Sequence, residues 1–219
     1  RDYQLNALEH ALQNEKSLLL SPTASGKSLI IYLATRWYIE NDPSMKILIV
    51  VPTISLVEQM YSDFADYSST DEHFHIDEWA NKIHGGIPKG QKLFERIVIS
   101  TWQSIYKMPK IWYDQFGMVI GDECHGFKSK SLNSIMNKAR EAEYRFGTTG
   151  TLDGTQTHEL VLQGLFGRIY NVTTTKKLQD NDTLAKLFIN VIVLKYTEEI
   201  RKSRGKQTYQ DEIDYIVRN

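Results

Sequence analysis

Hydrophobic positions along this chain follow two alternating spacings. Residues 3–14 set Tyr3, Leu5, Leu8, Ala11 and Leu12 at helical intervals, which predicts an amphipathic helix. Ser17-Leu18-Leu19-Leu20 is instead a short apolar run, stopped by Ser21-Pro22. Runs of that kind suit strands buried on both faces, as in parallel sheets. The alternation continues with a helix over 29–39, a turn at Asn41-Asp42-Pro43-Ser44, a strand over 46–51 closed by Pro52, and a helix over 54–64. Further buried strands are expected over 96–100, 118–121, 144–148 and 188–196. Ile31, Tyr32, Trp37 and Tyr38 are expected to form the packed face of the second helix. Strands alternating with helices imply right-handed crossovers and an α/β fold with a mostly parallel sheet covered on both faces.

Composition narrows the classes. The 219 residues carry 26 Lys+Arg against 27 Asp+Glu, a formal charge of −1, and 41% are hydrophobic. That length buries a proper core without a covalent staple, and that composition excludes disorder. Cys124 is the single cysteine, so a disulfide scaffold is excluded. The longest aliphatic stretch, Ile47 to Val51, is far too short to span a membrane, and the first residues carry no signal-peptide pattern. A soluble, cytoplasmic protein is expected. Near-zero net charge argues against a simple coat for nucleic acid. The charge is uneven, however. Ile47 to Asn81 holds seven acids and no Lys or Arg, whereas 82–110 holds Lys82, Lys89, Lys92, Arg96, Lys107 and Lys110 against Glu95 alone. Phe94, Trp102 and Tyr106 are interleaved with these bases, and such a mixture suits phosphates and stacked bases. Packing of Trp102 and Tyr106 in a core fits the pattern equally well. Residues 198–219 are dense in both signs and read as a solvated helix or linker.

Two segments carry chemistry. Ser21-Pro22-Thr23-Ala24-Ser25-Gly26-Lys27-Ser28 lies between an expected strand and an expected helix. A helix N-terminus there offers free N–H groups and positive dipole to an anion. Gly26 lets backbone approach phosphates, Lys27 reaches the β- and γ-phosphates, and Ser28 offers a hydroxyl to Mg²⁺. Ser21 stands where the usual pattern opens with glycine. The second segment, Val119-Ile120-Gly121-Asp122-Glu123-Cys124-His125, ends a strand in two adjacent acids, at the sheet edge where open α/β folds bind ligands. Two buried neighbouring anions need a cation. Asp122 would hold Mg²⁺, directly or through water, and Glu123 would polarise an attacking water. His73 and His75 lack a third ligand for a metal site. Cys124 and His125 point apart on an extended chain, which disfavours a thiol nucleophile.

Together the two segments resemble motifs I and II of the superfamily 2 helicases of the DExH kind. Arg1-Asp2-Tyr3-Gln4 resembles that family's adenine-reading segment, and Val51 to Gln59 its motif Ia. Ile99-Ser100-Thr101-Trp102-Gln103-Ser104 resembles a later strand-facing motif, and Gly147-Thr148-Thr149-Gly150-Thr151 motif III. The resemblance implies a RecA-like P-loop NTPase fold of three layers over 1–195, with 196–219 a helical linker towards a second RecA-like lobe of a longer parent. It implies ATP and Mg²⁺ as cofactors, and ATP-driven translocation on branched or duplex DNA, with RNA–DNA hybrids in the substrate range. By the same resemblance Arg1, Gln4, Thr23, Ala24, Ser25, Gly26, Lys27 and Ser28 bind ATP. Lys27, Asp122 and Glu123 are catalytic. His125, Thr149 and Thr151 couple nucleotide to nucleic acid, and Thr53, Gly86, Thr101, Trp102 and Gln103 contact the strand. The family's second lobe brings an arginine finger worth roughly 10³–10⁵ in rate in well-studied GTPases. Gly167-Arg168-Ile169 is the nearest match here and lacks the surrounding pattern. The isolated lobe is therefore expected to bind nucleotide weakly and hydrolyse it poorly. A restriction-type translocase, a small P-loop kinase and a non-catalytic nucleotide-binding module are the alternatives.

Overall fold

A computed structural model describes the chain except for residues 86–94, 153, 186–189, 192–196, 200, 201, 203–207 and 219. Its described strands are β1 (Lys16–Leu20), β2 (Ile47–Val51), β3 (Ala80–Ile83), β4 (Ile97–Thr101), β5 (Met118–Gly121), β6 (Tyr144–Thr149) and β7 (Ile169–Asn171). They form one sheet in the order β3-β4-β2-β5-β6-β1-β7, with every neighbouring pair parallel. The described helices are α1 (Asp2–Leu12), α2 (Lys27–Asn41), α3 (Ile54–Tyr67), α4 (Ile76–Trp79), α5 (Trp102–Ile105), α6 (Lys110–Tyr113), α7 (Lys130–Lys138), α8 (Gln156–Phe166), α9 (Thr175–Asp180) and α10 (Tyr209–Arg218), with a 3₁₀ helix at Cys124–Lys128. The chain divides into two compact units, Arg1–Leu184 and Ala185–Asn219. The sheet lies in the first and α10 in the second. The strand expected over 188–196 and the domain boundary expected at residue 195 fall largely on residues outside the described ones.

The alternation of side chains along β2 builds both halves of the core. Ile47, Ile49 and Val51 pack with Ile31, Tyr32 and Tyr38 of α2 and Val57, Met60 and Phe64 of α3. Leu48 and Val50 pack on the opposite face with Phe127, Ile135, Met136, Leu162 and Phe166. Two expectations need correction. Trp37 is 41% exposed and Leu5 59% exposed. On α1 the buried face is Gln4, Ala7 and Ala11, because small side chains bring that helix close to its neighbours. Trp37 instead meets Tyr38 edge-on at 4.9 Å.

Parallel strands put all their C-terminal ends on one edge. β1 runs into the Ser21–Ser28 loop, β2 into Thr53, β4 into Trp102, β5 into Asp122 and β6 into Gly150. The depth of the β5 and β6 ends is set by an unusual contact. Gly121 and Gly147 are register partners, and the Phe166 ring of α8 lies across both. A Cβ would sit 2.9 Å from Phe166 at Gly121 and 2.8 Å from it at Gly147. Gly147→Ala is therefore expected to destabilise the first unit by about 1–3 kcal/mol, because the ring cannot yield without displacing Phe127. Phe166→Ala should cost about 3–5 kcal/mol. Urea unfolding of both variants checks this, and wild-type midpoints would contradict it.

Candidate nucleotide site

The loop after β1 is braced from several sides. Gly26 adopts a left-handed conformation at φ 80° and heads α2. A Cβ there would stand 2.3 Å from the Gln4 amide, so glycine is required twice over. Gln4 is buried and donates from Nε2 to the Ser25 carbonyl at 3.1 Å, which the Tyr3 hydroxyl also reaches at 3.0 Å. Arg1 is exposed and donates to the Tyr3 hydroxyl at 3.0 Å. Ser25 Oγ donates to the Pro22 carbonyl and lies 2.6 Å from Ser21 Oγ. The serine at the position of the pattern's opening glycine is thus a hydroxyl pin for the loop. Thr23, Ala24, Gly26, Lys27 and Ser28 line a cleft of about 310 Å³ together with Asp122 and Glu123.

The loop and the acid pair meet in that cleft. Lys27 Nζ lies 3.3 Å from Glu123 Oε1. Glu123 takes a left-handed backbone, φ 48°, which turns the chain out of β5. Its second oxygen stands 3.3 Å from His125 Nδ1. The same His125 nitrogen is 3.1 Å from Thr149 Oγ1, and Thr149 donates to the Thr151 carbonyl at 2.9 Å. A chain of contacts therefore runs Lys27–Glu123–His125–Thr149–Thr151. The loop after β6 also presses on the phosphate loop, since a Cβ on Gly150 would lie 3.6 Å from the Ser21 carbonyl and the Thr23 nitrogen.

Asp122 is 7% exposed and accepts from Thr148 Oγ1 at 2.5 Å. Burial pushes its pKa above the ordinary carboxylate value, and the Thr148 bond pulls the other way. Burial likewise pushes the Cys124 thiol up, and the side chain is fully enclosed.

The predicted strand-contacting residues stand on the same edge with different exposures. Thr53 is exposed and caps α3, accepting from the Leu56 N–H at 3.2 Å. Gln103 is exposed and reaches the Pro52 carbonyl at 3.4 Å. Thr101 is buried against Ser104 Oγ at 2.9 Å. Trp102 and Tyr106 are partly buried against the core and edge-on to each other at 6.0 Å. Gly86 lies outside the described residues, as do Lys89, Lys92 and Phe94. The basic surface expected over 82–110 is corrected in part. Arg96 donates to the carbonyls of Met45, Ile39 and Asp42, so it closes the C-terminal end of α2. Lys82 pairs with Glu58, and Lys110 with Asp114 and Glu141. Arg168 sits where β7 begins, its carbonyl accepting from Leu18, towards the opposite end of β1 from the phosphate loop.

Sequence reasoning missed several contributors. Leu56, Gln59, Met60 and Asp63 of α3 line the cleft, Thr148 holds Asp122, and His158 of α8 binds the His125 carbonyl at 2.9 Å. The four-residue spacing of Gln59 and Asp63 was the available signal for α3.

Known proteins resemble this chain in sequence and fold. The family described as type III restriction enzyme, res subunit, matches residues 1–154. The chain belongs to that family. Over 217 residues it is 39% identical to the ATP-dependent DNA helicase uvsW of Enterobacteria phage T4, covering 98% of this chain and 42% of that protein. It is 26% identical over 202 residues to the DNA 3'-5' translocase XPB2 of Sulfurisphaera tokodaii, covering 92% and 42%. The crystal structure of the UvsW helicase from bacteriophage T4 superposes with a TM-score of 0.69 at 40% identity, over 77% of this chain and 58% of that one. The Pyrococcus furiosus Hef helicase domain, at 17% identity and a TM-score of 0.64, shares the fold alone. The sheet is that of RecA-like helicase lobes. This chain spans about two-fifths of the length of these curated relatives. Among the described residues no helix is long and apolar enough to cross a membrane.

A carboxyl whose pKa is raised by folding adds stability below its unfolded pKa and loses it as pH rises through the folded value. Asp122→Asn keeps an acceptor for Thr148 and removes that loss. Its melting temperature should exceed wild type at about pH 7 and converge with it towards about pH 3. Thermal unfolding across that range checks the sign, and no gain at neutral pH would contradict the burial argument.

Proposed function

We propose that this chain is the ATP-binding lobe of a DNA helicase or translocase that remodels branched or duplex DNA, with RNA–DNA hybrids in its range. The observation that carries this reading is the 3.3 Å contact between Lys27 and Glu123, which joins a phosphate loop to an acid pair in one cleft. The similarity to the phage T4 helicase over 98% of the chain supports the choice of ATP and DNA.

The residues fit a magnesium-bound nucleotide. Ser28 and Asp122 line the same cleft, and Asp122 is a buried carboxyl lifted by desolvation. Among the described residues no three ligating side chains gather into a metal cage, which suits a cation held by one or two protein groups and by phosphates. When bound, Mg²⁺ would neutralise charge between the β- and γ-phosphates. Thr23 to Ser28 would wrap the phosphates, with backbone N–H groups at the start of α2 aimed at them. Gln4, with Arg1 beside it, would carry adenine recognition to the loop through its bond to Ser25. Lys27, now paired with Glu123, would turn to the phosphates. The Glu123 carboxylate so released would orient a water and accept its proton. His125, Thr149 and Thr151 would pass that rearrangement along the sheet edge. Thr53, Gly86, Thr101, Trp102 and Gln103 would contact the strand.

A second RecA-like lobe of the parent chain would supply the cation that Arg168, at the wrong end of β1, cannot. The setting is the cytoplasm of a phage-infected cell. The description of the matched family supports a second reading, the motor of a restriction translocase, which a nuclease domain elsewhere in the parent would identify.

In the full-length parent, Lys27→Ala should abolish DNA-stimulated ATP turnover, and retained turnover would defeat the assignment. Glu123→Gln should bind ATP as wild type while hydrolysis falls on the order of 10² or more. Nucleotide binding and phosphate release, measured side by side, separate the two effects.

A further inference from the structure

Helix α3 passes the mouth of the phosphate loop, and its polar residues Gln59 and Asp63 line the cleft. Tyr67 follows at the same four-residue interval, so the three share one helix face. The Tyr67 hydroxyl lies 2.9 Å from Ser28 Oγ, although 39 residues separate them. The ring behind that hydroxyl is 39% exposed on one side and packed on the other. It leans on Tyr32 with centroids 5.4 Å apart, and Tyr32 is buried edge-on against Phe64 at 5.2 Å. A hydroxyl that gives a lone pair to a cation becomes a stronger proton donor and needs an acceptor for its hydrogen. Partners of that kind orient a ligand without touching the metal.

We propose that Tyr67 is a positioning residue for Ser28: its oxygen accepts a hydrogen bond from the Ser28 hydroxyl and leaves a Ser28 lone pair for a divalent cation in the cleft. The inference rests on the nucleotide reading above and adds to it a residue outside the phosphate loop and the acid pair. A contact that merely packs α3 on α2 would instead affect the fold and every ligand alike.

The test is equilibrium binding of a fluorescent ADP analogue to the full-length parent, in Mg²⁺ and in EDTA. Tyr67→Phe keeps the ring against Tyr32 and removes the hydroxyl. Affinity in Mg²⁺ should fall about 10-fold, within the range known for outer partners of metal ligands, while affinity in EDTA stays at wild type. Combining Tyr67→Phe with Ser28→Ala should weaken Mg²⁺-dependent binding no further than Ser28→Ala alone, since both remove the same device. Unchanged affinity in Mg²⁺, or an equal loss in both buffers, would overturn the proposal and leave the nucleotide reading standing. A wild-type parent that binds the analogue in neither buffer would overturn both.

Discussion

Two adjacent carboxylates at the end of a buried strand carry a charge cost that one lysine offsets in part. Glu123 shares Lys27 and leans on His125. Asp122, deeper, has the Thr148 hydroxyl and a raised pKa. Replacing such a pair by apolar residues would favour folding. Its presence beside the Ser21–Ser28 loop fits the proposed entry of a cation together with an anion of higher charge. On the proposed reading, the cleft is a place where stability is given up for chemistry.

The rest of the first unit serves to hold that pair against the loop. Parallel register fixes β1, β6 and β5 side by side. The paired glycines 121 and 147 let Phe166 clamp the sheet just below Asp122 and Thr148. On the other face α2 and α3 pack through Tyr32 and Phe64, so the helix that follows the Ser21–Ser28 loop and the helix capped by Thr53 share one core. Ser28 is tied to α3 by its 2.9 Å contact with Tyr67, and the first turn of α3 is capped by Thr53.

Much of this was readable from residue order, for definite reasons. Buried parallel strands announce themselves as unbroken apolar runs, and β1, β2, β4, β5 and β6 were placed to within a residue at each end. The phosphate loop and the acid pair are contiguous strings whose chemistry tolerates few substitutes. What stayed hidden depends on contacts between distant segments. β3 and β7 are edge strands, short and partly polar, with no run to betray them. Arg96 looks like a free cation in sequence and is consumed by three carbonyls in space. Gln59, Asp63 and Tyr67 look like the wet side of an amphipathic helix. Only the crossing of α3 past α2 turns that side towards the cleft.

On the proposed reading, Ser28, Lys27, Asp122 and Glu123 serve one nucleotide and one cation. Crystals grown with Mn²⁺ and a non-hydrolysable ATP analogue, read at the manganese absorption edge, test it directly. A single anomalous peak is expected between Ser28 and Asp122, with the triphosphate over the Gly26 and Lys27 backbone. Manganese bound away from Asp122, or nucleotide seated outside the loop, would contradict it.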